Sequence, residues 1–378
     1  MSELNSSNLK KEEGGQGPDL CGTTELTSPY FMVPPSGTTA QRPSGCAAGT
    51  LRFNTDIGSL EYFKGDTIGW ESIVKTTPNL GGGTGSNTGT GARGIWGGGS
   101  GPNTDVIQYV TISTLGNASD FGNLTATRFG GSGASSRTRG LFQGGGTPTR
   151  LDTVDYITIS STGDALDFGN LTVSRSQSAG ISNQIRGIAG TGSAPNGRRE
   201  EIDYATIAST GNYVDFGNAT SIRETAAGCQ STTRGIIGGG SSPSAAVNTI
   251  EYITIMTTGN ALDFGDLTHT AANLGSNTVS SATRGVFAGD ANIIDFITIA
   301  TLGNAVDFGD LVASRVYTSG NDDSVRGMWA GGGPGISDAT NIIEYIQIAT
   351  TGDALDFGDL TTSSRTVMSG VSSGHGGL

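Results

Sequence analysis

The chain has 378 residues, of which 63 are glycine and only 15% are charged, and its formal net charge at pH 7 is −13. A surplus of acidic residues repels a phosphate backbone, so nucleic acid is not expected as a partner. No run approaches the ~18 apolar residues that cross a bilayer, and residues 1–14 lack the hydrophobic stretch of a secretory signal, so membrane insertion is not expected.

The abundance of glycine, serine and threonine predicts an all-β protein built from short strands and tight turns. Three widely spaced cysteines predict neither a disulfide framework nor a zinc site.

The N-terminal part of the chain divides into three segments. Residues 1–41 show no sustained period and predict an extended arm. Residues 42–76 contain two strand-like runs, Leu51 to Asn54 and Leu60 to Phe63, on either side of a turn-like segment, which predicts a small β-hairpin module. Residues 77–92 are rich in glycine and predict a flexible linker, with Leu80 to Thr84 packed on the domain that follows as an extra strand as the alternative.

From residue 93 onwards, one pattern occurs six times. Each copy begins with an Arg-Gly pair that opens an apolar, glycine-rich run, and the arginines are Arg93, Arg139, Arg186, Arg234, Arg284 and Arg326. After a variable loop, a run of the type Tyr-Ile-Thr-Ile predicts a second strand. A Gly-Asn or Gly-Asp dipeptide then predicts a tight hairpin turn, and a further strand carries Asp-Phe-Gly.

Each copy ends in a Thr-x-x-Arg segment and a run of small residues that predicts a fourth strand. The arginines of this segment are Arg128, Arg175, Arg223, Arg315 and Arg365, with Thr270 in place of arginine in one copy. Four strands in about 47 residues are typical of a propeller blade. Because the first copy lacks its own small-residue strand, we expect Val367 to Ser372 to pair into the blade that begins at Arg93 and to close the ring.

The repeat resembles the kelch family. An arginine before the first strand, a glycine ending the second, a tyrosine in the third and an aromatic residue in the fourth stand in the family's order at Arg175, Gly190, Tyr204 and Phe216. Phenylalanine replaces the tryptophan of the family. The resemblance implies that residues 93–378 form a six-bladed kelch-like β-propeller with four strands per blade.

The hairpin module and the repeat are also similar to segments of bacteriophage proteins. Residues of the module that match a segment of tail-fibre and other virion proteins are Arg42, Pro43, Gly49, Arg52, Phe53, Asn54, Gly58, Leu60, Glu61, Phe63, Gly65 and Trp70. The repeat looks like those in structural proteins of marine phages, especially cyanophages. The resemblance implies a virion anchor at the N-terminus, for which the candidate residues are Arg42, Arg52, Phe53, Leu60, Tyr62 and Trp70.

No motif of the chain points to an enzyme. Asp-Phe-Gly occurs in protein kinases, but six copies inside a β repeat without an ATP-binding loop exclude that function. The six aspartates could instead bind calcium at blade edges or accept hydrogen bonds from backbone amides. His269 and His375 are the only histidines, so a His-based metal site or a catalytic triad is not expected. We predict no catalytic residue, no metal and no cofactor, and we expect Trp96 and Trp329 to pack between blades rather than on sugars.

Recognition by a repeat protein is expected where its copies differ. The connection after the glycine-rich strand varies most in length and composition, and Arg198 and Arg199 are its most charged residues. They could meet an acidic partner or a sugar. The candidate partner-binding face consists of Asn103, Thr104, Thr149, Arg150, Asn196, Arg198, Arg199, Ser244, Asn248, Ser337 and Asp338.

These features predict a structural protein of a bacteriophage virion: a tail fibre, a tail-associated protein or a fibre on the capsid. It would be assembled in the host cytoplasm, be held to other virion proteins by its N-terminal arm and hairpin, and present the propeller for assembly and for attachment to a host polysaccharide or protein. A homo-oligomer is expected by analogy with phage appendages. Two alternatives remain open, a non-viral bacterial kelch-like lectin or interaction scaffold and a propeller glycosidase or oxidase.

Overall fold

The computed structural model describes residues 34–56, 59–72, 92–335, 338–361 and 365–378. They belong to two compact units, Met1–Lys75 and Thr76–Leu378. Within the described ranges every regular element is a β-strand, apart from a short 3-10 helix at Thr39–Gln41, so the predicted all-β class is confirmed. None of these residues forms a helix that is long and apolar enough to cross a membrane. Residues 1–33 of the predicted arm and 77–91 of the predicted linker lie outside the described residues.

The described residues of the first unit form one four-stranded sheet. Its strands, in chain order and in sheet order, are β1 (Ser36–Gly37), β2 (Leu51–Asn54), β3 (Ser59–Phe63) and β4 (Trp70–Ser72). β1 runs parallel to β2, and the other pairs are antiparallel. β2 and β3 occupy the two runs that predicted a hairpin, and the sheet extends that hairpin by one strand on each side.

The described part of the second unit contains 26 strands. In chain order they are β5 (Arg93–Gly97), β6 (Thr104–Thr111), β7 (Ser119–Arg128), β8 (Ser132–Ser135), β9 (Arg139–Gln143), β10 (Gly146–Thr147), β11 (Thr149–Arg150), β12 (Thr153–Thr158), β13 (Leu166–Asn170), β14 (Ala179–Ser182), β15 (Arg186–Ala194), β16 (Gly197–Thr206), β17 (Val214–Arg223), β18 (Ala227–Gln230), β19 (Arg234–Gly238), β20 (Thr249–Thr254), β21 (Leu262–Asp266), β22 (Val279–Ser280), β23 (Arg284–Ala288), β24 (Ile293–Thr298), β25 (Val306–Asp310), β26 (Ser319–Asp322), β27 (Arg326–Ala330), β28 (Ile342–Gln347), β29 (Leu355–Asp359) and β30 (Ser369–Ser372).

These strands form six four-stranded antiparallel sheets and one small two-stranded hairpin, β10-β11. The sheets are sheet 1 (β30-β5-β6-β7), sheet 2 (β8-β9-β12-β13), sheet 3 (β14-β15-β16-β17), sheet 4 (β18-β19-β20-β21), sheet 5 (β22-β23-β24-β25) and sheet 6 (β26-β27-β28-β29). In sheet 1 the first position is taken by β30, which pairs with β5 from Gly97 opposite Ser369 to Gly94 opposite Ser372. The first strands contact one another in the order β30, β8, β14, β18, β22, β26 and β30, so the arrangement is propeller-like.

The hydrophobic core lies between consecutive sheets rather than within one sheet. One cluster joins Leu141, Val154 and Phe168 of sheet 2 to Ala189 and Ile207 of sheet 3, all of them buried. The phenylalanine of every Asp-Phe-Gly is buried in such a cluster and packs edge-on against the aromatic residue of the neighbouring third strand. Because both faces of each sheet are covered, its strands lose the alternation of apolar and polar residues.

Candidate functional site

The arginine of each Arg-Gly pair joins two neighbouring sheets. In sheet 1, Arg93 Nη1 donates to the carbonyl oxygen of Ile159 in sheet 2 at 2.8 Å, and its Cζ lies 4.7 Å from the ring centroid of Tyr109 in its own sheet. Both contacts recur at Arg139, Arg186, Arg234, Arg284 and Arg326, with Phe296 as the ring beside Arg284. These arginines therefore stabilise the sheet boundaries.

The arginine of the Thr-x-x-Arg segment forms a buried ion pair across the same boundaries. Arg128 meets Asp155 at 2.7 Å, and Arg175 meets Asp203 at 2.9 Å. The pairs Arg223 with Glu251 and Arg315 with Glu344 are equivalent. Burial lowers the pKa of these four guanidinium groups from their ordinary value.

Two boundaries lack one partner of this pair. Gln108 replaces the acid between sheets 6 and 1, where Arg365 Nη1 donates instead to the carbonyl oxygens of Gly101 and Pro102. Thr270 replaces the arginine between sheets 4 and 5, and the hydroxyl of Thr268 donates to Asp295 at 2.8 Å. Both charged groups of each complete pair are buried, so a substrate cannot reach them.

The connections between the second and third strands leave every sheet at the end where its first strand begins. We call this the loop end, with residues 98–103, 144–152, 195–196, 239–248, 289–292, 331–335 and 338–341. Of the predicted face, Asn103, Thr149, Asn196, Ser244 and Asp338 are exposed. Arg150, Arg198, Arg199 and Asn248 are half-buried, Thr104 is buried and Ser337 lies outside the described residues.

The two adjacent arginines of this face are held by side chains of their own unit. Arg198 pairs with Glu224 at 2.9 Å, and Arg199 pairs with Glu201 at 3.3 Å and donates to Asn196 Oδ1 at 2.6 Å. The pairs fix both guanidinium groups beside the tip of the β15-β16 hairpin. Sequence reasoning identified the residues but not their acidic partners, which lie elsewhere on sheet 3.

Three of the predicted anchor residues take part in packing within the N-terminal sheet. Glu61 is fully buried and accepts hydrogen bonds from Arg42, Arg52 and Asn54 at 2.6 to 3.2 Å. The bond from Arg42 holds the pKa of Glu61 below its ordinary value. The Arg52 guanidinium also lies over the Trp70 ring, with its Cζ 5.8 Å from the centroid.

The other three predicted anchor residues share the opposite face of this sheet. Leu51 stands opposite Tyr62, and Phe53 stands opposite Leu60, which places all four on one face. Leu51 and Leu60 are exposed, and Phe53 and Tyr62 are half-buried. We call these four residues the open face.

In five of the six sheets, the first strand approaches a neighbouring first strand so closely that a side chain does not fit at one position, which is the second residue of the strand. A Cβ atom on Gly133, Gly180, Gly228, Gly320 or Gly370 would lie closer than 3.0 Å to a neighbouring first strand or the segment leading into it. Sheet 5 has Thr278 there, after an insertion: ten residues lead from Thr270 to Ser280, against seven from Arg223 to Gln230. Asn277 of this insertion donates to the Gly133 carbonyl at 2.9 Å and accepts from its N–H at 2.8 Å.

The first strands begin at the loop end, and their opposite ends contain a further feature that sequence reasoning missed. His375, for which the sequence predicted no site, is buried against Ser135, Ser182 and Gln230. Its signal in the sequence is the run Gly-His-Gly-Gly, which begins two residues after the end of the last predicted strand.

The described residues contain no group of three or more His, Cys, Asp or Glu side chains that could hold a metal ion. The aspartates of the six Asp-Phe-Gly copies are exposed, and each lies on the outermost strand of a different sheet. Trp96 and Trp329 are fully buried, and Trp96 Nε1 donates to the carbonyl oxygen of Ser319 at 3.0 Å. Burial leaves neither ring a face for a sugar.

The chain matches no protein-family model, and no curated protein is significantly similar to it in sequence.

Proposed function

We propose that residues 93–378 form a closed six-bladed, kelch-like propeller that serves as a non-enzymatic display scaffold in a bacteriophage virion. Six four-stranded sheets with the same strand order support the blade count. Support for closure comes from β30, which pairs with β5, and from Arg326 of sheet 6, which donates to the carbonyl oxygen of Ile112 in sheet 1 at 2.8 Å.

The observation that carries the scaffold function is the contrast between the sheet boundaries and the loop end. At the boundaries, the Arg-Gly arginine makes the same contact six times. At the loop end, no two connections share a sequence, and sheet 3 extends a long hairpin with exposed Asn196 at its tip. A scaffold that preserves its core and varies one surface is typical of binding proteins built from repeats.

The virion assignment is supported by the phage resemblance of the N-terminal module and of the repeat. The open face supplies the attachment surface to another virion protein, because a single sheet with exposed Leu51 and Leu60 gains stability when a second layer covers it. The loop end then serves as the surface that binds a host polysaccharide or protein.

Mass spectrometry of purified phage particles from the source of this sequence tests the virion assignment. We expect peptides of the chain at a fixed ratio to the major structural proteins. Absence from particles would contradict the proposal, and saturable binding of a bacterial polysaccharide by the same protein would then favour a non-viral lectin.

The anchor is tested by Leu60→Glu, which places a charge on the open face. We expect this variant to fold but to be lost from particles. Ile68→Glu is the matched control, because Ile68 is exposed but lies outside the strands of the sheet, and it should be incorporated normally. Equal incorporation of the two variants would argue against the open face as the anchor.

Attachment is tested with the full chain on host cells. The double variant Thr149→Ala and Asn196→Ala alters two exposed residues of the loop end, and Ser161→Ala with Thr162→Ala alters two exposed residues at the opposite end of sheet 2. We expect only the first double variant to bind host cells more weakly, by about tenfold if each lost contact contributes about 0.7 kcal/mol. Unchanged binding would remove these two residues from the contact surface.

A further inference from the structure

The last residues of the six first strands form a polar ring at the end opposite the loop end. The ring consists of Ser135, Ser182, Gln230, Ser280, Asp322 and Ser372, one residue from each sheet. Next to the ring, the glycines of five first strands bring neighbouring strands so close together that no open channel is left between them. The space left at the ring is a cavity of about 20 Å³, which has room for about one water molecule. The ring is therefore the floor of a shallow pocket.

Residues 374–378 fill this pocket, and His375 makes the central contacts. Its Nε2 lies 2.9 Å from the carbonyl oxygen of Ser135 and 3.2 Å from Ser182 Oγ. A carbonyl oxygen only accepts, so we assign the ring proton to Nε2. Nδ1 then accepts from the N–H of Gly377 at 3.1 Å and from Gln230 Nε2 at 3.2 Å. Both nitrogens of the neutral imidazole are satisfied.

The two residues that follow His375 must be glycines for steric reasons. A Cβ atom on Gly376 would lie closer than 3.0 Å to the carbonyl oxygen of Ser281, and one on Gly377 would lie as close to that of Ser182. These obstacles are backbone atoms, which cannot turn aside as the end of a side chain can. The pocket thus excludes side chains on both positions that follow the histidine.

Backbone contacts connect the same segment to two further sheets. The N–H of Gly376 donates to Ser280 Oγ of sheet 5 at 3.2 Å. The carbonyl oxygen of Gly374 accepts from Ser324 Oγ, next to sheet 6, at 2.7 Å. Polar contacts from five sheets therefore converge on five residues.

We propose that the polar ring is a peptide-binding pocket specific for a Gly-His-Gly-Gly segment, and that residues 374–378 are its intramolecular ligand. Specificity rests on a neutral imidazole that donates at one nitrogen and accepts at the other, and on space that admits only glycine at the two following positions. The inference does not depend on the virion assignment.

A chain that ends at Ser373 tests the pocket, with the synthetic acetylated peptide Ser-Gly-His-Gly-Gly-Leu as the probe and titration calorimetry as the measurement. We expect one peptide to bind per chain and to raise the melting temperature of the shortened protein. A peptide with alanine in place of histidine loses the imidazole's hydrogen bonds to Ser135 and Gln230 and should bind at least tenfold more weakly. A peptide with alanine in place of the second following glycine should not bind. Equal binding of all three peptides, or of none to a folded chain, would overturn the proposal.

A full-length variant keeps the test open if the shortened chain does not fold. Gly377→Ala should expel the segment while β30 remains paired, so the imidazole should become exposed and titrate near its ordinary pKa of about 6.5 by NMR. Gly335→Ala is the matched control, because its Cβ would approach only the far end of the Asp338 side chain, at 3.8 Å. An imidazole that still titrates far below that value in Gly377→Ala would contradict the proposal.

Discussion

A Cβ atom on Gly122 would lie closer than 3.0 Å to the carbonyl oxygen of Gly163, across the boundary between sheets 1 and 2. Gly122 is the glycine of Asp-Phe-Gly, and Gly163 belongs to the Gly-Asp turn of the next copy. The N–H of Gly163 also donates to the carbonyl oxygen of Phe121 at 2.7 Å. The same approach recurs from Gly169 to Gly211, Gly217 to Gly259, Gly265 to Gly303, Gly309 to Gly352 and Gly358 to Gly116. The Asp-Phe-Gly motif of one copy and the Gly-Asn or Gly-Asp turn of the next copy thus contact each other at every boundary between sheets.

Alanine substitutions at these two glycines should have unequal effects. Gly122 and Gly163 have nearly the same backbone angle, with φ of +149° and +153°, so alanine is strained by about 1–3 kcal/mol at either position. Only Gly122 also faces a backbone atom, whereas nothing lies within 4 Å of a Cβ on Gly163. We expect Gly122→Ala to lower the free energy of unfolding more than Gly163→Ala, measured by chemical denaturation. Equal losses would show that strain alone sets the requirement for glycine.

The sequence predicted the Asp-Phe-Gly strand and the Gly-Asn or Gly-Asp turn, but as separate local features. Positive φ at the turn follows from its residue types. The contact between Gly122 and Gly163 does not, because it joins two copies of the repeat and depends on how far apart their sheets lie. The repeat shows which residues recur in all six copies. Only the packing of neighbouring sheets shows which of these residues contact each other.

The ion pair between Arg175 and Asp203 offers a second test of the sheet boundaries. Both side chains are almost fully buried, so Asp203→Asn leaves the guanidinium without its countercharge and should cost about 3–5 kcal/mol of unfolding free energy. Glu201→Gln is the matched control, because Glu201 pairs with Arg199 where both are partly exposed, and it should cost less than about 1 kcal/mol. A small effect of Asp203→Asn would mean that water or another acceptor replaces the carboxylate.

The predicted anchor residues and the insertion before Ser280 show different limits of sequence reasoning. Arg42 and Arg52 were predicted to be anchor residues because they match a segment of virion proteins, yet both are bonded to Glu61, which stands within the same matched segment. The insertion before Ser280 was visible as the longest spacing between Arg-Gly pairs, 50 residues from Arg234 to Arg284. Its consequence was not visible, because Asn277 contacts Gly133, 144 residues away and three sheets earlier.

Asn277→Ala should measure that contact. The side chain satisfies both the N–H and the carbonyl oxygen of Gly133 where no strand partner does so, and their loss in a buried place should cost about 1–3 kcal/mol of unfolding free energy. Asn196→Ala, at the exposed tip of the β15-β16 hairpin, should change stability by less than about 0.5 kcal/mol. An equally small effect at Asn277 would mean that water takes over both hydrogen bonds.

His375 should make the stability of the chain depend on pH. Burial lowers its pKa to about 4, below the value of about 6.5 in an unfolded chain. The unfolded chain therefore binds the proton first as the pH falls, so the contribution of His375 is complete above pH ~6.5 and is lost as the pH falls towards its folded pKa. We expect this group to remove about 2.5 kcal/mol of unfolding free energy between pH 7.5 and pH 4.5, measured by urea denaturation.

Comparison with His375→Gln isolates this contribution from the other groups at the pocket. Asp322 lies on the same ring, and burial raises the pKa of its carboxyl well above the ordinary value, so its contribution to stability grows as the pH falls and opposes that of His375. Asp323 packs beside Gly374 in both proteins. Because both acids are present in wild type and variant, the difference between the two pH profiles belongs to the imidazole. Parallel profiles would mean that the protonated imidazole finds an acceptor in the folded chain, and Asp322 is the one carboxylate among the six residues of the ring.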